Sequence, residues 1–252
     1  MSEENPILYE EDKKIGIVTF NRPEFLNCFN INTLRAFNDL LNELNKNERL
    51  KVIIFTGKGR AFSTGNDLKA KMSPEEAYEF TKMGRACCLK ILNSHAVTIA
   101  AVNGFAVGGG FEFAMSADFL LASEDAVFRL PEVSIGLLPI WAGLNILPKL
   151  VGIKAAKEIV ILGKKFGVEK AQSLGIINEV YPAENFMESV MKYAKEIKKR
   201  DANLVQLSKY IINRSWDYPI SKTTELAGEM FEIYGSKEKK EKLKAFRKDY
   251  FP

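Results

Sequence analysis

Two runs of consecutive apolar, mostly β-branched residues constrain the fold of this chain most. They are Val52-Ile53-Ile54-Phe55-Thr56, ended by Gly57, and residues 97–102, ended by Asn103-Gly104. A strand that is apolar at nearly every position is covered on both faces. Between the runs, Ser73-Pro74-Glu75-Glu76 reads as a helix start, with a capping serine and a proline just inside. That helix is expected to run to about Leu92. Residues 30–45 carry Leu34, Phe37, Leu40, Leu41 and Leu44 at helical spacing. Ahead of them, Ile15-Gly16-Ile17-Val18-Thr19-Phe20 alternates as a strand and stops at Asn21-Arg22-Pro23. Residues 110–116 read as a helix, and 119–122 and 127–130 as short strands. Strands alternating with helices predict an α/β fold.

After about Phe186 the pattern changes. Residues 187–199, 203–214, 220–234 and 237–248 all read as helices. The expected division is a core over residues 1–194 and a helical C-terminal region over residues 195–252.

Composition excludes several classes. The chain has 252 residues, 27% of them charged, with a formal net charge of +4. That balance is ordinary for a soluble protein and carries no nucleic-acid signature. Cys28, Cys87 and Cys88 form no C-x-x-C pair, so neither a disulfide framework nor a zinc site is expected. The segment MSEENPILYEEDKK has no signal-peptide core, and no apolar run approaches the roughly 20 residues that span a bilayer. The expected location is cytoplasmic, with no membrane partner. His95 is the only histidine, which leaves histidine-based nucleophilic chemistry resting on one residue just before a strand. Neither G-x-G-x-x-G nor G-x-x-x-x-G-K-[ST] occurs at the glycine-rich stretch, so nucleotide binding has no support there.

Two loops carry chemical meaning. In Val107-Gly108-Gly109-Gly110-Phe111-Glu112 a strand ends, three glycines follow and a helix begins. Glycine lets a ligand approach the main chain, and a helix start presents unpaired N–H groups at its positive end. Such a turn suits an oxygen that gains negative charge. The second loop, Gly59-Arg60-Ala61-Phe62-Ser63-Thr64-Gly65-Asn66-Asp67-Leu68, also follows a buried strand.

Together these loops resemble the crotonase superfamily, the enoyl-CoA hydratase/isomerase family, and the resemblance covers nearly the whole chain. The first signature is Asn21-Arg22-Pro23-Glu24-Phe25-Leu26-Asn27-Cys28-Phe29-Asn30. The second is Ala61-Phe62-Ser63-Thr64-Gly65-Asn66-Asp67-Leu68. The third, the most specific, runs from Ala101-Val102-Asn103-Gly104 through Gly108-Gly109-Gly110-Phe111-Glu112 to Ala117-Asp118. Phe128-Arg129-Leu130-Pro131-Glu132 and Gly136-Leu137-Leu138-Pro139 complete it.

The resemblance implies a crotonase-like spiral of ββα units with a helical C-terminal region, assembled as a homotrimer or as a hexamer of two trimers. It implies an acyl-CoA thioester substrate, with coenzyme A as part of that substrate and no separate cofactor or metal. The oxyanion hole falls on the main-chain N–H groups of Asn66 and Gly109. The two catalytic glutamates of the hydratases fall on Glu112 and Glu132. Glu112 would activate water at C3 of a 2-enoyl thioester, and Glu132 would protonate C2. CoA contacts are expected at Glu24, Phe25, Leu26, Thr64, Asp67 and Leu68. Acyl contacts are expected around Gly108, Pro131, Ile140 and Trp141. The basic stretch Lys242-Leu243-Lys244-Ala245-Phe246-Arg247-Lys248 resembles a terminal helix that reaches CoA phosphates in relatives.

The sequence departs from the hydratase pattern in three places. Asn66 stands where alanine is common, Phe111 where a small residue is common, and Ile140-Trp141 where glycine and a small residue follow the proline. Bulk at Ile140-Trp141 is expected to narrow or reshape the acyl pocket. Two alternatives stay open: a Δ3,Δ2-enoyl-CoA isomerase using Glu132 alone, and a non-catalytic CoA-binding scaffold.

Overall fold

The computed structural model of the chain describes residues 5–236 and Glu241. The first strands are β1 (Ile7–Asp12) and β2 (Ile15–Phe20), followed by helix α1 (Ile31–Lys46). Asn30 caps α1 by accepting the Thr33 N–H. Then β3 (Val52–Gly57), β4 (Ala61–Ser63) and α2 (Pro74–Leu92) form one ββα unit. The next two are β5 (Val97–Val102), β6 (Phe105–Val107), α3 (Gly109–Ser116), and β7 (Phe119–Ser123), β8 (Val127–Arg129), α4 (Gly143–Val151). The helix α5 (Ile153–Leu162), strand β9 (Phe166–Gly167), helix α6 (Val168–Ser173), strand β10 (Glu179–Tyr181) and helices α7 (Phe186–Lys198), α8 (Ala202–Arg214) and α9 (Ile220–Gly235) follow.

Each ββα unit gives one strand to each of two sheets. The larger sheet has the order β1-β2-β3-β5-β7-β10, and the smaller β4-β6-β8-β9. Pairing is parallel throughout β2-β3-β5-β7-β10 and β4-β6-β8, and antiparallel at the edge pairs β1-β2 and β8-β9. Three units stepping together along two sheets form the spiral expected of the family.

The apolar runs are buried on both sides, as a parallel sheet requires. Ile53 and Phe55 of β3 and Ala100 and Val102 of β5 face the main core, which contains Phe29, Phe37, Phe111 and Phe113. The alternate residues Val52, Ile54, Ile99 and Ala101 face a second layer made by Phe186, Val190 and Ala194 of α7. Helix α7 therefore belongs to the sheet, and the division into two compact units falls between Lys199 and Arg200, whereas the helical patterning of the sequence places it between residues 194 and 195. In the second unit, Leu207, Tyr210, Leu226 and Met230 of α8 and α9 form their own cluster.

Helix α2 begins with the predicted cap. The Ser73 hydroxyl accepts the Glu76 N–H at 3.2 Å, and the Glu76 carboxylate accepts the Ser73 N–H at 2.9 Å. Apart from Glu241, the helix expected over residues 237–248 lies outside the described residues, as does the basic stretch from Lys242 to Lys248.

Candidate active site

The second loop begins as a strand, not as the loop expected throughout: Ala61–Ser63 is β4 and pairs with β6. Beyond it the chain touches the first signature at one point. Phe29 donates its N–H to the Gly65 carbonyl at 2.7 Å and accepts the Asp67 N–H at 2.9 Å. In this parallel bridge the neighbours of Asn66 make both bonds. Alternation along an extended chain then turns the N–H of Asn66 away from Phe29.

Gly65 brings this loop against the glycine turn. It has φ +79°, and a Cβ there would lie 2.7 Å from the Gly109 nitrogen. Ser63 reinforces the contact, donating its hydroxyl to the Asn27 carbonyl at 2.8 Å and accepting the Gly65 N–H at 3.2 Å. Gly109 is the first residue of α3, where the helix supplies no acceptor for its N–H. The two expected oxyanion donors therefore sit in loops that touch, one of them at the positive end of a helix.

Glu112 lies one turn into α3 and is 2% exposed. Its Oε1 accepts three backbone N–H bonds, from Trp141 (2.9 Å), Ala142 (2.9 Å) and Gly143 (2.7 Å). These N–H groups open α4, so the carboxylate serves as the cap that this helix lacks locally. Burial raises the Glu112 pKa, and the three N–H bonds oppose that rise by favouring the charged form.

Glu132 starts a 3-10 turn, Glu132–Ile135, and is 8% exposed. Its Oε2 is buried with no hydrogen-bond partner. Its Oε1 faces the glycine turn: a Cβ on Gly108, where φ is +54°, would lie 2.9 Å from that oxygen. Burial pushes the Glu132 carboxyl up to about 7. Its own backbone N–H lowers it, the charge of Glu112 raises it further, and Arg129 lowers it. The fold thus brings both glutamates beside one glycine turn, in different environments: one is held by three N–H donors from α4, the other keeps a buried oxygen, Oε2, without a partner.

The outer contacts gather at the rim. Pro23–Phe25 forms a 3-10 turn that ends at Leu26 in a left-handed conformation. Thr64 donates its N–H to the Leu26 carbonyl at 3.1 Å, which joins the two loops. Arg22 lies 3.7 Å from the Asp67 carboxylate and 4.6 Å above the Phe25 ring. Phe25 and Leu68 are exposed, as is Glu24. Pro131 leads directly into the Glu132 turn. Ile140 and Trp141 part company: Ile140 is 43% exposed, whereas Trp141 is 6% exposed. The Trp141 indole stacks on Phe113 at 4.9 Å and tilts against Phe80 at 5.5 Å.

Sequence reasoning missed Asn27, Arg22 and Gly143. The Asn27 side chain spans the strand ends, donating to the Lys58 (3.0 Å) and Ala61 (2.7 Å) carbonyls and accepting the Arg22 N–H (2.9 Å). An asparagine directly after the turn that begins at Pro23 was the available signal. His95 sits elsewhere, with Nε2 at 3.1 Å from the Asn47 carbonyl. Cys87 and Cys88 are buried, and burial raises both thiols above their ordinary value.

The chain matches the family model described as enoyl-CoA hydratase/isomerase over residues 10–249. It is 32% identical over 246 residues to the short-chain-enoyl-CoA hydratase of Clostridium acetobutylicum, covering 96% of this chain and 94% of that protein. It is 33% identical over 250 residues to the crotonyl-CoA hydratase of Syntrophomonas wolfei, covering 98% and 96%. Among solved structures, an enoyl-CoA hydratase from Bacillus anthracis superposes with a TM-score of 0.88 at 27% identity over 98% of both chains. By this match and these relatives, and in keeping with its sheet order and glycine turn, this chain belongs to the enoyl-CoA hydratase/isomerase family.

Proposed function

We propose that the protein is an enoyl-CoA hydratase, which adds water to a 2-trans-enoyl-CoA to give a 3-hydroxyacyl-CoA. The observation that carries this reading is the unlike pair of buried carboxyls at one glycine turn. The thioester carbonyl accepts the N–H groups of Asn66 and Gly109, and each such donor contributes about 2.7–4 kcal/mol as the oxygen gains charge. That polarisation makes C3 electrophilic.

Glu112, fixed through Oε1, leaves its other oxygen to take a proton from water. The water oxygen bonds to C3, the double bond's electrons move to the C1–C2 enolate, and Glu132 delivers a proton to C2. A carboxyl with a pKa near 7 is suited to that donation at neutral pH. One hydroxyl and one proton are gained by the substrate, and a proton returns from Glu112 to Glu132 or solvent. Nothing in this balance requires a metal or a cofactor beyond the CoA of the substrate.

Three further assignments complete the proposal. Glu24, Phe25, Leu26, Thr64, Asp67 and Leu68 form the CoA rim, with the acyl group beside Gly108, Pro131 and Trp141. The protein assembles as a trimer or as two trimers; in the second unit Ile212, Ile220 and Phe231 are exposed apolar side chains that subunit contact would cover. Sedimentation equilibrium reads that state directly. The cytoplasm is its location: the three cysteines are free, and among the described residues no helix is long and apolar enough to cross a membrane.

The test is an absorbance assay with crotonyl-CoA, which loses its conjugated thioester on hydration. Consumption by wild type supports the reading. No consumption across several chain lengths overturns it, and conversion of a 3-enoyl-CoA to its 2-enoyl isomer in that case would establish the isomerase.

A further inference from the structure

Helix α2 carries a glycine in its interior. Gly84 does not have a positive φ, so the backbone does not require it there. A glycine within a helix is destabilising relative to alanine. The space explains it: a Cβ on Gly84 would overlap Cε2 and Nε1 of the Trp141 indole. A Cβ on Gly109 would overlap Cζ3 and Cε3, the opposite edge of the same ring. Two glycines, one in α2 and one at the oxyanion turn, therefore seat one indole between them. Phe113 stacks on it at 4.9 Å and Phe80 lies at 5.5 Å, so the ring is packed on several sides.

The backbone of the same residue fixes the second reference point. The Trp141 N–H donates to Glu112 Oε1 at 2.9 Å. On the hydratase reading, Gly109 holds the carbonyl at C1 and Glu112 works at C3. An acyl chain leading from the first past the second runs along Trp141, whose ring packs against Gly109 and whose backbone N–H is bonded to Glu112.

We infer that Trp141 is the specificity-determining residue that closes the far end of the acyl pocket and limits the substrate to short, unbranched 2-enoyl chains of about crotonyl size. This rests on the hydratase reading, which orients the chain. In an open pocket each added methylene raises affinity several-fold. Against a fixed indole, added carbons instead cost about ten-fold or more in kcat/KM by the eight-carbon substrate.

The experiment measures kcat/KM for trans-2-enoyl-CoAs of four, six, eight and ten carbons with wild type, Trp141→Phe and Trp141→Ala. Calorimetric affinity for the matching saturated acyl-CoAs, which needs no turnover, is measured beside it. The N–H bond to Glu112 survives either substitution, so the chain-length ratio isolates the ring. Trp141→Ala is expected to raise the ratio of eight- to four-carbon kcat/KM by about ten-fold or more, and Trp141→Phe by less. A flat wild-type profile overturns the inference, as does a ratio unchanged in both variants. If Trp141→Ala fails to fold, Trp141→Phe carries the comparison. If wild type hydrates nothing, the hydratase reading falls, and the saturated-ligand affinities still decide whether Trp141 limits chain length.

Discussion

Glu112 Oε1 lies 2.7 Å from the backbone nitrogen of Gly143, 31 residues further along the chain. That bond, with those from Trp141 and Ala142, makes the start of α4 the holder of the Glu112 carboxylate. Replacing the charge while keeping the shape separates holding from chemistry. Glu112→Gln is expected to lower kcat by about 10²–10⁴-fold with little change in KM, because it removes the base without reshaping the pocket. Steady-state kinetics with crotonyl-CoA checks this, and a kcat within a few-fold of wild type would remove Glu112 from the mechanism.

The proposed hydration needs Glu132 protonated, and burial pushes its carboxyl up to about 7. Its charge couples to that of Glu112, so the upper limb of the pH profile belongs to the pair. The kcat/KM for hydration is therefore expected to fall as pH rises through about 7. In Glu132→Gln this limb disappears along with most of the activity, while acyl-CoA binding persists. A profile flat from pH 6 to 9 would contradict the assignment.

The same shift has a stability consequence. The ordinary value is 4.5 and the folded value about 7, so the folded state holds its proton more tightly than the unfolded chain. Stability is then fully present below about 4.5 and is lost as pH rises towards 7. A glutamine there does not titrate. Relative to wild type, Glu132→Gln is expected to gain stability between pH 5 and 8, by on the order of 1–3 kcal/mol. Urea melts at the two pH values measure the gain; an equal difference at both would show that Glu132 is not strained by its burial.

Gly65→Ala tests the contact between the two donor loops. Its Cβ would lie 2.7 Å from the Gly109 nitrogen, at a φ that disfavours side chains. Displacing one donor costs about 10²–10³-fold in kcat. The expected outcome is that loss with far-ultraviolet circular dichroism unchanged. Full activity would mean the loops tolerate separation and the donors lie elsewhere.

Asn27 is 2% exposed and makes three backbone bonds across the strand ends. Asn27→Ala orphans those groups and loses the residue type that tolerates its left-handed conformation, φ +56°. A loss of about 2–4 kcal/mol in denaturant melts is expected.

The long elements were legible because their patterns repeat enough to register. The apolar run of β3, the leucine spacing of α1 and the capping box of α2 are each local signals. Strands β4, β6 and β9 are two or three residues long, too short to show a period of two, and only their ladder bonds reveal them. Both glutamates and the glycine turn were readable from motif resemblance. Their support was not: the bonds from Glu112 to α4 join distant segments. Nor could adjacent apolar letters tell that Ile140 faces out and Trp141 in, since that choice is made by the space above Gly84 and Gly109.

The central claim is that water is added across the double bond at this glycine turn. Incubation with crotonyl-CoA in oxygen-18 water, followed by mass spectrometry of the intact thioester, tests it most directly. The account predicts 3-hydroxybutyryl-CoA with one heavy oxygen at C3, formed by wild type and nearly abolished in Glu132→Gln. An unlabelled thioester, or heavy oxygen found only in a freed carboxylic acid, would contradict it.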